Sequence, residues 1–316
     1  MRHDDRVKLR TGVEVSRLAL GTAAFGGLYS SVTDKACTDT LLTAVQNGIT
    51  YLDTAPHYGK GVSETQIGRA IRSLDRSSIV ISTKIGRLLV PSTTDVDGFF
   101  LDADNTVERK MDFTAAGVRK SIESSLVRLG VDNVEIVYIH DPDDYADIAI
   151  SQAYPELEKM RSEGIIKAIG IGMNQSEIPT RFVRETDIDQ VLIAGRYSLL
   201  DQGAAKELLP TALERGVDIV VAGVFNSGIL ANPVKGATFD YEAASDELIA
   251  RALRIREVLD GHGVSLRAAA MQFPFQHPAV KTVLVGCRSQ EEVLSNIDEF
   301  NKPIASQVWT DLASVQ

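Results

Sequence analysis

Tyr51-Leu52-Asp53-Thr54-Ala55-Pro56-His57-Tyr58-Gly59, followed by Ser63-Glu64, is the stretch that decides how this chain reads. A short apolar run ends on a carboxylate, and a phenol follows five residues later in the loop beyond it. Two further runs share this build. Ile79-Val80-Ile81-Ser82-Thr83-Lys84 closes on an ammonium, and Ile136-Val137-Tyr138-Ile139-His140 closes on an imidazole. Asp53, Tyr58, Lys84 and His140 therefore stand at or just past the C-terminal ends of successive strands. Such a set can move a proton on or off a carbonyl or alcohol oxygen while a hydride moves elsewhere.

On either side of these runs, β-rich segments alternate with amphipathic helical ones. Residues 18–22 precede 33–47, 50–53 precede 63–73, 79–84 precede 113–129, and 134–140 precede 152–163. Then 165–172 precede 176–185, 189–194 precede 204–215, 217–221 precede 245–261, and 280–285 precede 290–300. The strands read as apolar runs rather than strict alternation, as expected of parallel strands buried on both faces. A doubly wound open sheet competes with this reading. Eight successive units without a break favour an α/β chain closed into a (β/α)8 TIM barrel, one domain over 1–316. Residues 7–9 and 13–15 flank Thr11-Gly12 as a small hairpin expected to cover the N-terminal end of the barrel.

Helix ends agree with this division. Ser63 with Gln66 and Ser289 with Glu292 resemble capping boxes. Gly48, Gly130, Gly164 and Gly216 stand between a helix and a strand, where left-handed caps are expected. Long connections at 86–112 after the third strand and 223–244 after the seventh read as binding loops, on the face where barrels build active sites.

Composition narrows the function. The 316 residues are 44% hydrophobic and 24% charged, with a net charge of -10, which argues against nucleic acid or an anionic membrane as the main partner. The charged start Met1-Arg2-His3-Asp4-Asp5-Arg6 leads into no apolar segment, and no run approaches the roughly 18 apolar residues of a membrane helix. Cys37 and Cys287 lie far apart, so no disulfide framework is indicated and a cytoplasmic location is expected. No Cys/His spacing indicates a metal. Asp141–Asp144 reads as a solvated loop, and no G-x-G-x-x-G follows a strand.

Taken singly, a strand-end Lys–Asp pair can be a structural ion pair and a strand-end His a scaffold residue. Their joint order is what points to chemistry. A phenol of pKa near 10 is a poor base at neutral pH, and a neighbouring ammonium favours its ionised form. Asp53 would hold Lys84 charged and in place, and His140 would orient the substrate oxygen.

With these residues the chain resembles the aldo-keto reductases. The likeness is carried by Leu20-Gly21-Thr22, the Asp53–Tyr58 motif with Gly59-Lys60-Gly61-Val62-Ser63-Glu64, and Lys84. Ser124-Ser125-Leu126-Val127-Arg128-Leu129-Gly130, Ile139-His140-Asp141-Pro142, Gly170-Ile171-Gly172-Met173-Asn174 and Gly286-Cys287-Arg288-Ser289 extend it almost to the C-terminus. The resemblance implies a nicotinamide-dependent barrel enzyme with Asp53, Tyr58, Lys84 and His140 as its catalytic tetrad. It places Asn174 on the nicotinamide carboxamide and Gly21 and Thr22 among the cofactor-binding residues. Phe225, Asn226, Ser227 and Gly228 fall at the pyrophosphate, and Gly286, Arg288, Glu292 and Asn296 at the adenosine. Ala194 and Ala222 depart from the family, which often has a glutamine and an aromatic residue there.

Where relatives using NADP place Lys and Arg, this chain has Gly286 and Glu292. A carboxylate repels a 2′-phosphate and can accept from a ribose hydroxyl. NAD is the expected cofactor and dehydrogenation the expected direction, with Arg288 leaving NADP open. Further segments, Ala24-Phe25-Gly26-Gly27-Leu28-Tyr29 and Ala194-Gly195-Arg196-Tyr197 among them, resemble a branch that oxidises sugars such as L-fucose, L-galactose or D-arabinose at the anomeric carbon. That branch also contains a pyridoxal 4-dehydrogenase, which forms a lactone from a hemiacetal. The substrate expected is thus a small molecule, a sugar or pyridoxal. A general NADPH-dependent aldehyde or ketone reductase is the remaining alternative. His57 and Arg196 are candidate sugar contacts, Arg196 having an ion pair with a neighbouring carboxylate as its alternative. Trp309 either folds over the pocket or packs.

Overall fold

In the computed structural model, which describes residues 1–314 apart from 94 and 241, the apolar runs form parallel strands that close on themselves. Leu18–Gly21, Tyr51–Asp53, Val80–Ile85, Ile136–His140, Ala168–Met173, Gln190–Ala194, Asp218–Ala222 and Val280–Gly286 pair in chain order, and the eighth strand returns to the first. This is the expected barrel. Helices Asp34–Gln46, Val62–Ala70, Ala115–Leu129, Tyr154–Ser162, Glu177–Glu185, Leu208–Arg215, Asp246–Gly261 and Gln290–Asn301 wrap it. Beyond the expected pattern lie Leu266–Gln272, Ser306–Leu312 and the short Ala146–Ile148. None of the described helices is long and apolar enough to cross a membrane.

The barrel places the site through side-chain alternation. Along Tyr51–Asp53, Val80–Ile85 and Ile136–His140, every second residue turns into the barrel. Tyr51, Val80, Ile136 and Tyr138 belong to the interior cluster, while Leu52, Ile81, Val137 and Ile139 pack outward against the helices. Asp53, Ser82, Lys84 and His140 continue the inward parity at the C-terminal end. The runs are apolar on both faces until their last inward positions, where the chemistry begins.

The interior is partly polar. Tyr51 and Tyr138 share a hydrogen bond between their hydroxyls at 2.8 Å, and Tyr138 donates onward to Gln190 Oε1 at 2.9 Å. At the other end the expected hairpin forms from Arg6–Lys8 and Glu14–Ser16. It presses Leu9 and Val15 into the interior cluster and so closes the floor.

The helix starts correct one reading. Thr33, Thr114, Ser245 and Ser289 cap their helices by accepting from a backbone N–H in the first turn. Ser63 does not. The helix begins one turn position earlier, from left-handed Gly61, and the buried Ser63 hydroxyl is shared with Thr22 and Thr54. The signature failed there because tertiary partners took the side chain. Gly48, Gly130, Gly164 and Gly216 all adopt the expected positive φ. Both long connections fold into hairpins, Arg87–Pro91 with Val107–Met111 and Thr238–Phe239 with Glu242–Ala243.

Leu9 is 4% exposed at the barrel floor, far from the C-terminal mouth. Leu9→Ala is expected to cost roughly 2–5 kcal/mol in urea denaturation while leaving KM for substrate unchanged.

Candidate active site

Lys84 is the centre of the mouth. Its Nζ donates to Asp53 Oδ2 at 2.7 Å and to the Thr54 carbonyl at 2.8 Å, and both charged side chains are 2% exposed. Ser82 donates to the other carboxylate oxygen of Asp53 at 2.6 Å. The same ammonium lies 4.8 Å from the centre of the Tyr58 ring. The His140 ring stands almost perpendicular to Tyr58, at 86° and 6.2 Å between centres. The four residues expected to act together are therefore together.

Tyr58 is aimed by two glycines. A Cβ built on Gly26 would meet Gly59 N at 2.5 Å and the Tyr58 carbonyl carbon at 2.6 Å, and Gly59 has φ +61°. Only two backbones without side chains can lie this close, so the turn after Tyr58 is fixed against the loop after the first strand.

A wall that the sequence did not reveal surrounds this centre. Phe100, from the loop after the third strand, packs 5.3 Å from His57 and 6.1 Å from Tyr58 between ring centres. Arg109 donates to the His57 carbonyl at 2.7 Å and pairs with Asp97, whose carboxylate also accepts from Phe99 N and Phe100 N. Beside His140, Arg87 pairs with Asp141 at 3.0 Å, and Asp141 Oδ2 lies 3.4 Å from His140 Nε2. Asp141 adopts φ +43°, a conformation that Asp tolerates better than most residues. It is thus a built element of the mouth and not merely a solvated loop. Among the described residues no cluster of His, Cys, Asp and Glu could hold a metal.

Both histidines are neutral in this setting. Burial pushes His140 well below the usual imidazole range, and the Lys84 and Arg87 charges push it the same way. Burial also lowers His57 to about 2, with His140, Arg87 and Arg109 adding to the effect and Asp141 opposing it.

The opposite half of the mouth is nearly free of side chains. Gly21, Gly172, Ala194, Ala222 and Gly286 are the last inward residues of the remaining strands, Met173 at the end of the fifth facing the helices. The register sets Ala194 beside Ala222 and Gly286 beside Gly21. The small residues that depart from the resemblance thus leave this side of the mouth without large side chains. Asn174 lies exposed at its rim. Asn226, Ser227 and Gly228 follow one another at φ +45°, +59° and +113°, a tight left-handed turn in which Asn226 N–H donates to the Gly223 carbonyl at 2.8 Å and Gly228 N–H to the Phe225 carbonyl at 2.9 Å. Phe225 packs against the core before them. Asn226 donates to the Gly195 carbonyl at 3.1 Å, while its buried Oδ1 has no partner among the described residues. This open side of the mouth, a left-handed turn and an orphaned acceptor fit a dinucleotide.

Three expected contacts need correction. Thr22 is fully buried, with its hydroxyl shared between the Asp53 carbonyl and Ser63, so it braces the second strand and does not face the mouth. Asn296 is 5% exposed and spends its amide on Arg267 and Cys287, supporting the turn after the eighth strand from beneath. Arg196 is fully engaged with the Asn174 carbonyl at 2.7 Å, Asp201 at 3.1 Å and Asp240 at 2.7 Å. It clamps three loops, the ion-pair alternative of the sequence reading. Arg288 bonds Ser30 at 3.0 Å, and its backbone N–H donates to Glu292 at 2.9 Å. Trp309 packs against Phe273 at 6.3 Å.

Comparison with known proteins agrees with this geometry. The model of the aldo/keto reductase family matches residues 17–316. A D-threo-aldose 1-dehydrogenase of Pseudomonas sp is 41% identical, across 96% of this chain and 95% of its own length. A pyridoxal 4-dehydrogenase of Microbacterium luteolum is 40% identical, with the same coverage of 96% and 95%. An L-galactose dehydrogenase of Arabidopsis thaliana is 29% identical over 91% of this chain and 85% of its own. An aldo-keto reductase of Bacillus halodurans in its holo form superposes with a TM-score of 0.81 at 22% identity, covering 99% and 96% of the two chains, a likeness of fold.

A histidine buried as the neutral ring makes the protein less stable as pH falls, because the unfolded chain takes up a proton near pH 6.5 that the folded site refuses. Between pH 7 and 5, His57→Gln is expected to lose less stability than the parent, by up to about 2 kcal/mol, in urea denaturation at the two pH values.

Proposed function

This chain belongs to the aldo/keto reductase family of nicotinamide-dependent oxidoreductases, and we propose that it oxidises an aldose at the anomeric carbon to the lactone, with NAD as acceptor. L-Fucose, L-galactose and D-arabinose are the substrate types meant. The observation that carries this reading is Lys84 held between Asp53 and the Tyr58 ring with His140 across it, in a chain 41% identical to a D-threo-aldose 1-dehydrogenase.

In this reading Tyr58, as phenolate, removes the proton of the anomeric hydroxyl. The Lys84 ammonium favours that phenolate because opposite charges attract strongly in a site from which water is shut out. Asp53 and the Thr54 carbonyl keep the ammonium in place. His140 is neutral and meets the substrate oxygen from the other side, so it orients that oxygen without competing for its proton. When bound, the nicotinamide supplies the acceptor for the hydride leaving the anomeric carbon. Asn174 would hold its carboxamide, Asn226 to Gly228 its pyrophosphate, and Glu292 the ribose hydroxyl at the adenosine end. The Glu292 carboxylate lies 3.8 Å from the Arg288 guanidinium and offsets its charge, while Arg267 at the same end is engaged with Ser295 and Asn296, which supports NAD over NADP. Two buried thiols fit a reducing compartment, and we place the enzyme in the cytoplasm.

Pyridoxal oxidation is the second reading. It is favoured by the Phe100 and His57 rings against Tyr58 and by the 40% identity to a pyridoxal 4-dehydrogenase. Initial rates with NAD and with NADP on L-fucose, L-galactose, D-arabinose and pyridoxal separate the two. Sugar oxidation with NAD is expected. Turnover of pyridoxal alone would reassign the pocket, and NADPH-driven aldehyde reduction in place of both would overturn the reading.

Two substitutions test the parts. Tyr58→Phe is expected to lower kcat by about 10²–10⁴-fold or more, with NAD affinity nearly intact by fluorescence titration. Glu292→Arg is expected to raise the NADP to NAD ratio of kcat/KM by about 10-fold.

A further inference from the structure

The rings of Tyr58, His140 and His57 form a triangle with nearly equal sides, 6.2, 5.8 and 6.1 Å between centres. Two of its corners hold the reacting oxygen in the reading above. The third corner is His57, and the structure fixes its form as well as its place. A neutral imidazole has one N–H and one lone pair. His57 Nδ1 is sealed and has no hydrogen-bond partner among the described residues. Buried polar groups are rarely left unpaired, so the tautomer with its proton on Nε2 is the one that leaves no sealed N–H without an acceptor. His57 thereby offers the mouth a fixed donor.

Its position is held from the long loop after the third strand. Arg109 donates to the His57 carbonyl from both Nη2, at 2.7 Å, and Nε, at 3.3 Å. The same guanidinium pairs with Asp97, which is 3% exposed and fixes the backbone of Phe100 against the His57 ring. His57 is thus gripped at its backbone and along its ring face by one loop.

We propose that His57 selects substrates bearing a hydroxyl on the carbon next to the reacting one, and that Arg109 is the positioning residue that keeps it there. An oxygen bracketed by Tyr58 and His140 brings the neighbours of the reacting carbon towards the third corner of the triangle. The ring oxygen is common to every cyclic aldose, so of these neighbours only the hydroxyl on the next carbon can carry selection. The mouth carries its charges as the pairs Arg87 with Asp141 and Arg109 with Asp97. It therefore suits a neutral polyol rather than a sugar acid or phosphate.

The inference rests on the aldose reading, and the experiment separates the two. kcat/KM is measured with NAD for L-galactose and for 2-deoxy-L-galactose, in the parent, His57→Leu, His57→Gln and Arg109→Met, with NAD affinity and melting temperature as controls for folding. The parent is expected to prefer L-galactose by about 10- to 100-fold. His57→Leu should bring the ratio close to unity, Arg109→Met should lower it partway, and His57→Gln, which keeps a donor, should restore part of it. A variant that slows both sugars equally and leaves the ratio unchanged would overturn the role of His57, as would a parent with no preference. A parent inactive on both sugars with either cofactor would overturn the aldose reading and this inference with it.

Discussion

Two opposite charges buried against each other, the Lys84 ammonium and the Asp53 carboxylate, set the conditions for everything else at the mouth. Taking such ions out of water costs several kcal/mol each, and their mutual attraction offsets this only when the remaining hydrogen-bonding positions are filled. Here they are filled, by Ser82 on the carboxylate and by the Thr54 carbonyl on the ammonium. The pair is therefore fixed in length and direction before any ligand arrives. Tyr58 and His140 are built around that fixed charge, the phenol with its ring near the ammonium and the imidazole held neutral partly by it.

The barrel makes this arrangement possible because its strands end in step. Asp53, Lys84 and His140 come from three neighbouring strands whose inward parity agrees, while the last inward residues of the other strands are glycine or alanine. One half of the uppermost layer is thus chemistry and the other half is space. A side chain of ordinary size at Ala194, Ala222 or Gly286 would fill that space, which gives a physical reason for residues that looked like losses beside the family pattern.

What the sequence shows and what it hides divide along the same line. Asp53, Lys84 and His140 are legible because each ends an apolar run, and run ends in parallel barrels face one mouth. The floor hairpin and the left-handed caps at Gly48, Gly130, Gly164 and Gly216 are legible because local turn chemistry decides them. Phe100 and Arg109 were hidden, since they reach His57 only through a hairpin whose fold depends on contacts far away in the chain. Arg196 was half legible. Its charge marked it, but Asp240, more than forty residues on, decided that it would clamp loops rather than meet substrate. Ser63 misled for a related reason, its cap signature being overruled by buried partners from another loop.

The floor hairpin has a consequence for how the barrel can vary. Leu9 and Val15 join Tyr51, Ile136 and Tyr138 in one packed interior, so the lower end is finished by a segment from outside the eight repeats. A change there is felt as folding stability, and a change at the upper end as turnover. The two ends of one barrel are thus free to drift apart in sequence without disturbing each other.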